Sequence, residues 1–326
     1  MGQIVLLTGI MAAATTVRAV IFAATDDPAY NTTEPTGPLA GSGWQYHGQW
    51  GGFLGVAVSP HHFITARHIG GAIGDAFSFH GTNYLTVSVA SNGTELNVWT
   101  VVGELPIFAT LYHGPSEPGQ AVVIFGRGTR RGAEVFANGQ TKGWQWGAAD
   151  GVVRWGENKV AGQLGALLKF TFDRDAGPNE VHLSSGDSGG GIFVNDGGGW
   201  RLAAINYAVE GPWKLTSTST VFHAALVDRG GVFRGNTTYP ESDADDPSAF
   251  YATPIAPNAG WLTTELELSR PLPPAGFNLA GPGASSSAPS AAEPSPGGER
   301  LLQEKARAGA KPAPEGLIVS GIRTGQ

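Results

Sequence analysis

Between Gly41 and Leu268 the chain is a succession of short runs rich in Val, Ile, Phe, Tyr and Trp, each closed off by Gly, Asn or Pro. FLGVAVS (53–59), YLTVSVA (84–90), LNVWTVV (96–102), AVVIFG (121–126), LLKFTF (167–172) and RLAAINYAV (201–209) are examples. Several alternate at a period of two. In LNVWTVV, Leu96, Val98 and Thr100 fall on one face of a strand and Asn97, Trp99 and Val101 on the other. No run carries a helical period, and 49 glycines and 22 prolines supply the turns. Regular short strands with turn signals between them predict an all-β sandwich or barrel architecture. The break HGPSEPGQ, His113–Gln120, divides the runs into two sets.

With 326 residues, burial of a core is not limiting, and the chain is long enough for one large domain or two ordinary ones. A net charge of −7 without basic runs argues against nucleic acid or an anionic membrane as partner. The absence of cysteine excludes disulfides, thiolate metal sites and cysteine nucleophiles. The apolar stretch from Ile4 to Val17 has the length of a signal-peptide core and is too short for a membrane span. No Lys or Arg precedes it, so an ordinary N-terminal strand stands as the alternative. Beyond Arg270 the Pro/Ala/Ser/Gly-rich composition cannot bury enough apolar surface to order itself. The organisation expected is an export signal over 1–19, a first half over 20–115, a second over 116–268 and a disordered tail over 269–326.

Chemistry concentrates in HLSSGDSGGGIFV, His182–Val194, which sets Ser188 among glycines. A serine hydroxyl becomes a nucleophile only with a neighbouring base, a group orienting that base, and donors for the oxyanion. Gly186–Gly190 satisfies the G-x-S-x-G of an α/β-hydrolase elbow, but that setting needs a helix after the serine and an acid and then a histidine later in the chain. Here a glycine run leads into a strand, and only His223 follows. Upstream, ITARHIGG places His68 just past a strand and before two glycines. ITARHIGG, AVVIFGRGT and GDSGGGIFV in this order resemble the chymotrypsin (trypsin-like) serine peptidase family, over roughly Gly51 to Ala225.

The resemblance implies two packed antiparallel six-stranded Greek-key β-barrels with the active site in the cleft between them. It implies a monomer hydrolysing protein or peptide substrates, secreted or in the cell envelope, without cofactor or metal. Carried over, His68 is the general base, Ser188 the nucleophile, and the backbone N–H groups of Gly186 and Ser188 the oxyanion hole. Asp187 holds the loop rather than doing chemistry. The family's acid is an aspartate before a strand; here Glu95 stands there, its carboxylate about an ångström further out, with Asp75 the alternative orienter. His182, six residues before the serine, is expected at the base of the substrate pocket, with Leu183, Ser184, Asn206 and Tyr207 as walls. Such a pocket takes a medium apolar side chain, or an acidic one if His182 is protonated. His61 and His62 read as surface histidines rather than metal partners of His68, since adjacent strand residues face opposite sides. Glu95, and the absence of the Ile-Val-Gly-Gly activation sequence usual in the family, leave a second function open, an inactive or very slow relative serving as a binding module.

Overall fold

The computed structural model describes residues 20–268 and 317–319. The stretch expected as an export signal, and most of the expected tail, lie outside the described residues. Six strands make the first barrel after a short leading strand β1 (Ile21–Phe22): β2 (His47–Trp50), β3 (Phe53–Ser59), β4 (His62–Ala66), β5 (Ala76–Phe79), β6 (Thr82–Ala90) and β7 (Leu96–Val101). They pair antiparallel in the closed order β2-β3-β4-β7-β6-β5, with β5 returning to β2. Phe77 and Phe79 of β5 alternate inward, and the Phe63 and Phe77 rings stack 4.0 Å apart.

The second half contributes β8 (Ala121–Gly126), β9 (Thr129–Ala137), β10 (Gln140–Ala149), β11 (Arg154–Leu164), β12 (Leu167–Thr171), β13 (Val181–His182), β14 (Gly191–Asn195) and β15 (Trp200–Glu210). It continues with β16 (Ala224–Leu226), β17 (Phe233–Arg234), β18 (Thr237–Thr238), β19 (Ala249–Pro254) and helix α1 (Ala259–Leu268). Strands β14-β8-β11-β12-β19-β15 run antiparallel, and β15 pairs back onto β14, closing a second six-stranded ring. The fold is therefore the chymotrypsin-like pair of barrels expected from the motifs. β9, β10 and β16 form a small sheet of their own, and β20 (Leu317–Val319) adds to the edge of β15.

The near-continuous apolar runs follow from burial on both strand faces. Val122 and Ile124 of β8, with Ile192 and Val194 of β14, fill the second barrel. Val123, Phe125 and Phe193, the alternate residues, join Val56, Phe63 and Trp99 in a cluster shared with the first barrel. The leading segment does not stay with the first barrel. β1 pairs with β13, and Val20 and Phe22 pack in the second barrel's core. Helix α1, absent from the strand-only reading, buries Leu262 against the shared cluster. Three residues of the expected tail, Leu317–Val319, are strand.

Candidate active site

The loop between β13 and β14 carries Ser188, and its shape follows from what surrounds it. Asp187 is fully buried and accepts the N–H groups of Gly128 (2.7 Å) and Ser184 (2.7 Å), and that of Val20. Burial is the largest influence on its carboxyl, pushing it up to about 6, while those bonds pull the other way. Gly186 has φ +96, and a Cβ on it would stand 2.8 Å from the Gly128 Cα. Gly189, at φ +83, would drive a Cβ into the Leu54 carbonyl and the Thr65 hydroxyl of the first barrel. The glycine run thus lets the second barrel's loop press against the first barrel's backbone.

Two buttresses behind this loop left no signal in the motifs. Asn206 Nδ2 donates to the carbonyls of Phe125 (2.8 Å) and Asp187 (3.0 Å). Its own N–H donates to the Gly190 carbonyl (2.9 Å), and the Gly189 N–H donates to its carbonyl (3.2 Å). Expected as a pocket wall, Asn206 is instead a buried brace of the loop that carries Ser188. His47, from β2, accepts the Gly191 N–H on Nε2 at 2.9 Å, which leaves the ring proton on Nδ1 facing the Gly43 carbonyl at 2.8 Å. Burial lowers its pKa to about 4, so it stays a neutral strut between the barrels.

His68 sits in the turn Arg67–Ile69 that ends β4. The β4–β7 register sets Ala66 opposite Leu96, and the Arg67 N–H donates to the Glu95 carbonyl at 3.0 Å. That ladder delivers the Glu95 carboxylate to His68, where Oε2 lies 3.2 Å from Nδ1 and accepts the His68 backbone N–H at 3.3 Å. His68 Nε2 lies 2.8 Å from Ser188 Oγ. Both partners of the His–Glu pair are largely shielded, with side chains 9% and 14% exposed. The Tyr207 ring stands 5.5 Å from the imidazole, and its hydroxyl is pushed up to about 12, by burial first and then by the Glu95 charge. The Asp75 carboxylate accepts the Ala72 N–H at 3.0 Å and closes its own turn.

On the second-barrel side of Ser188, the residues Leu183, Ser184, Tyr207, Ala208 and Val209 line a hollow too narrow for a water molecule. It admits no medium side chain. His182 does not line it. Its ring is fully buried between Phe172 and Phe250, with Nδ1 2.6 Å from the Leu183 carbonyl and Nε2 3.3 Å from Ser248 Oγ. Burial lowers its pKa to about 4, so it offers an acidic substrate no charge. A larger space lies elsewhere. A cavity of about 410 Å³, beside Gly186, is lined by Gln49, Gly51 and Phe53 of the first barrel and by Arg127 and Gly151 of the second. Arg127 spans it, donating to the carbonyls of Gly151 (2.6 Å) and Gly51 (3.2 Å). The sequence marks it only by Arg127 set between Gly126 and Gly128. His62, expected at the surface, is buried with Nδ1 2.6 Å from Ser59 Oγ.

No protein-family profile and no curated protein matches the chain. Among solved structures it is similar to a mutant of human heparin binding protein, at 11% identity and a TM-score of 0.45, over 71% of this chain and 95% of that one. It is also similar to neuropsin, a serine protease expressed in the limbic system of mouse brain, at 14% identity and a TM-score of 0.43, over 69% and 95%. The two-barrel assignment rests on the strand pairings themselves. No helix among the described residues is long and apolar enough to cross a membrane.

Proposed function

We propose that the chain is a serine endopeptidase with Ser188 as nucleophile, His68 as general base and Glu95 as the carboxylate that orients it. The observation that carries this reading is the 2.8 Å approach of His68 Nε2 to Ser188 Oγ across the barrel interface, with Glu95 behind Nδ1. Ser188 Oγ attacks the substrate carbonyl carbon while its proton passes to Nε2, and the Gly186 and Ser188 N–H groups receive the oxyanion. His68 then returns the proton to the departing amine as the C–N bond breaks, leaving an acyl-enzyme. Water repeats the sequence and releases the acid. Glu95, held by two N–H groups of one residue, keeps the imidazole oriented and stabilises its charged form. The narrow hollow leaves no room for a side chain and so favours glycine on the acyl side of the cut bond, and the cavity spanned by Arg127 receives the residues beyond it.

The same narrow hollow gives the binding-module reading its support, since a shut pocket also suits a cleft that binds without cutting. Profiling cleavage of a peptide library separates the two. A peptidase cuts after glycine and loses all cutting in Ser188→Ala; no cutting by the wild-type chain leaves the binding module.

A further inference from the structure

The edge of β15 nearest Ser188 is already occupied. β14 pairs with β15 only as far as Gly191 opposite Ile205, and β15 runs on to Glu210. On the edge that β14 leaves, β20 pairs antiparallel, with Val319 opposite Ala208, Ile318 opposite Val209 and Leu317 opposite Glu210. Ile318 packs on the second barrel's core cluster. Ala208 and Val209 also line the hollow that holds Ser188, so the occupied edge and the hollow are one continuous surface. The direction of β20 is informative. Its chain runs from Glu210 back toward Asn206, whose backbone brackets the nucleophile loop. An extended chain advances about 3.3 Å per residue, so a peptide leaving Val319 in this register comes to the hollow within about two residues.

We propose that the C-terminal segment Leu317–Val319 is an intramolecular ligand of this edge, and that it competes there with the acyl-side backbone of an extended, apolar peptide substrate. The inference rests on reading Ser188 as the nucleophile. Strand addition of this kind draws its affinity from main-chain hydrogen bonds and its selectivity from alternate side chains. Tethering through 269–316 gives the segment a high effective concentration, so that the chain restrains its own site without a second molecule.

Ile318→Pro in the full-length chain tests this, because proline at the centre of β20 disrupts its pairing with β15 and leaves the pairings among the barrel strands in place. Leu301→Pro, in the same tail but outside the strand, is the control. Two readouts are needed. Hydrogen exchange of peptides covering Ala208–Glu210 should quicken in Ile318→Pro and stay at wild-type rate in Leu301→Pro. The KM for an extended apolar peptide should fall about tenfold in Ile318→Pro with kcat unchanged, as expected when a competing occupant is removed. A synthetic peptide of the sequence 316–321, added in trans, should then inhibit that variant competitively. Unchanged exchange overturns the pairing, and faster exchange with an unmoved KM overturns the competition. Exchange needs no turnover. Altered exchange with hydrolysis absent from every form therefore removes the peptidase reading, and the competition with it, rather than the strand pairing.

Discussion

Glu95 decides how much a longer acid changes a histidine–serine pair. Its extra methylene is accommodated because the carboxylate grips both Nδ1 and the backbone N–H of His68, so ring and turn are fixed by one oxygen. Glu95→Ala should lower kcat/KM by about ten-thousandfold, the scale seen when an orienting carboxylate is lost. Glu95→Asp should retain activity but lose about a hundredfold, since a shift near one ångström separates the carboxylate from the ring. Steady-state kinetics on a single peptide substrate checks both; equal activity in Glu95→Ala and wild type contradicts the role. The meeting of His68, Glu95 and Ser188 was legible in the sequence because each stands in a local motif with its own turn or strand signal. The parts played by His47, Asn206 and Arg127 were not. Each comes from a partner far along the chain, such as Gly191 for His47, and no local spacing encodes it. His182 misled for the same reason, since its position in the loop says nothing of the Phe172 and Phe250 rings that enclose it.

At the scale of elements, the strands legible in the sequence were those with runs of Val, Ile, Phe, Tyr and Trp, whether buried on both faces, as β7 and β8 are, or largely exposed, as β6 is. β9 and β10 are less legible because Arg130, Arg131, Gly132 and Glu134 in β9 and Lys142 and Gly143 in β10 interrupt their apolar residues, and α1 because it is short and two of its residues, Thr263 and Thr264, are weak helix formers. β9 and β10 join β16 in a sheet tied to the following loop by a buried cation. Lys142 Nζ, with no exposed surface, donates to Asp228 at 2.6 Å and to Glu241 at 2.9 Å. Removing one partner of such a pair leaves a buried charge uncompensated. Lys142→Ala should therefore destabilise the protein by about 3–5 kcal/mol. Denaturant unfolding measures it, and a loss within the range of an ordinary surface substitution, about 0.5 kcal/mol, would show that the pair does not anchor this sheet.

For the whole molecule, the shared cluster of Phe125, Phe193, Leu202 and Ile205 with the first barrel's Val56 and Phe63 explains how two barrels hold His68 and Ser188 within hydrogen-bonding distance. Global stability carries a pH signature from Glu180, beside the seam between the leading strand and the second barrel. It accepts from Asn158 Nδ2 (2.8 Å) and the Asp173 N–H (3.1 Å), yet burial, the largest influence, pushes its carboxyl up to about 8. Between the ordinary value of 4.5 and about 8 the folded state binds more protons than the unfolded state. Stability attributable to Glu180 therefore falls as pH rises through that window, by up to about 1.4 kcal/mol per pH unit. Glu180→Gln should remove that part of the slope, so wild type loses ground to the variant from pH 5 to 8.5 in denaturant unfolding. Parallel curves contradict the burial argument.

The proposed catalytic pair has one direct test, covalent labelling of the folded protein by a fluorophosphonate followed by mapping of the modified residue. A hydroxyl whose proton His68 can accept should take up one phosphonyl group at Ser188, with labelling abolished in Ser188→Ala and slowed by orders of magnitude in His68→Ala. An unlabelled wild-type chain, under conditions where a trypsin-like control reacts fully, would mean that a serine and an imidazole 2.8 Å apart do not make a nucleophile here.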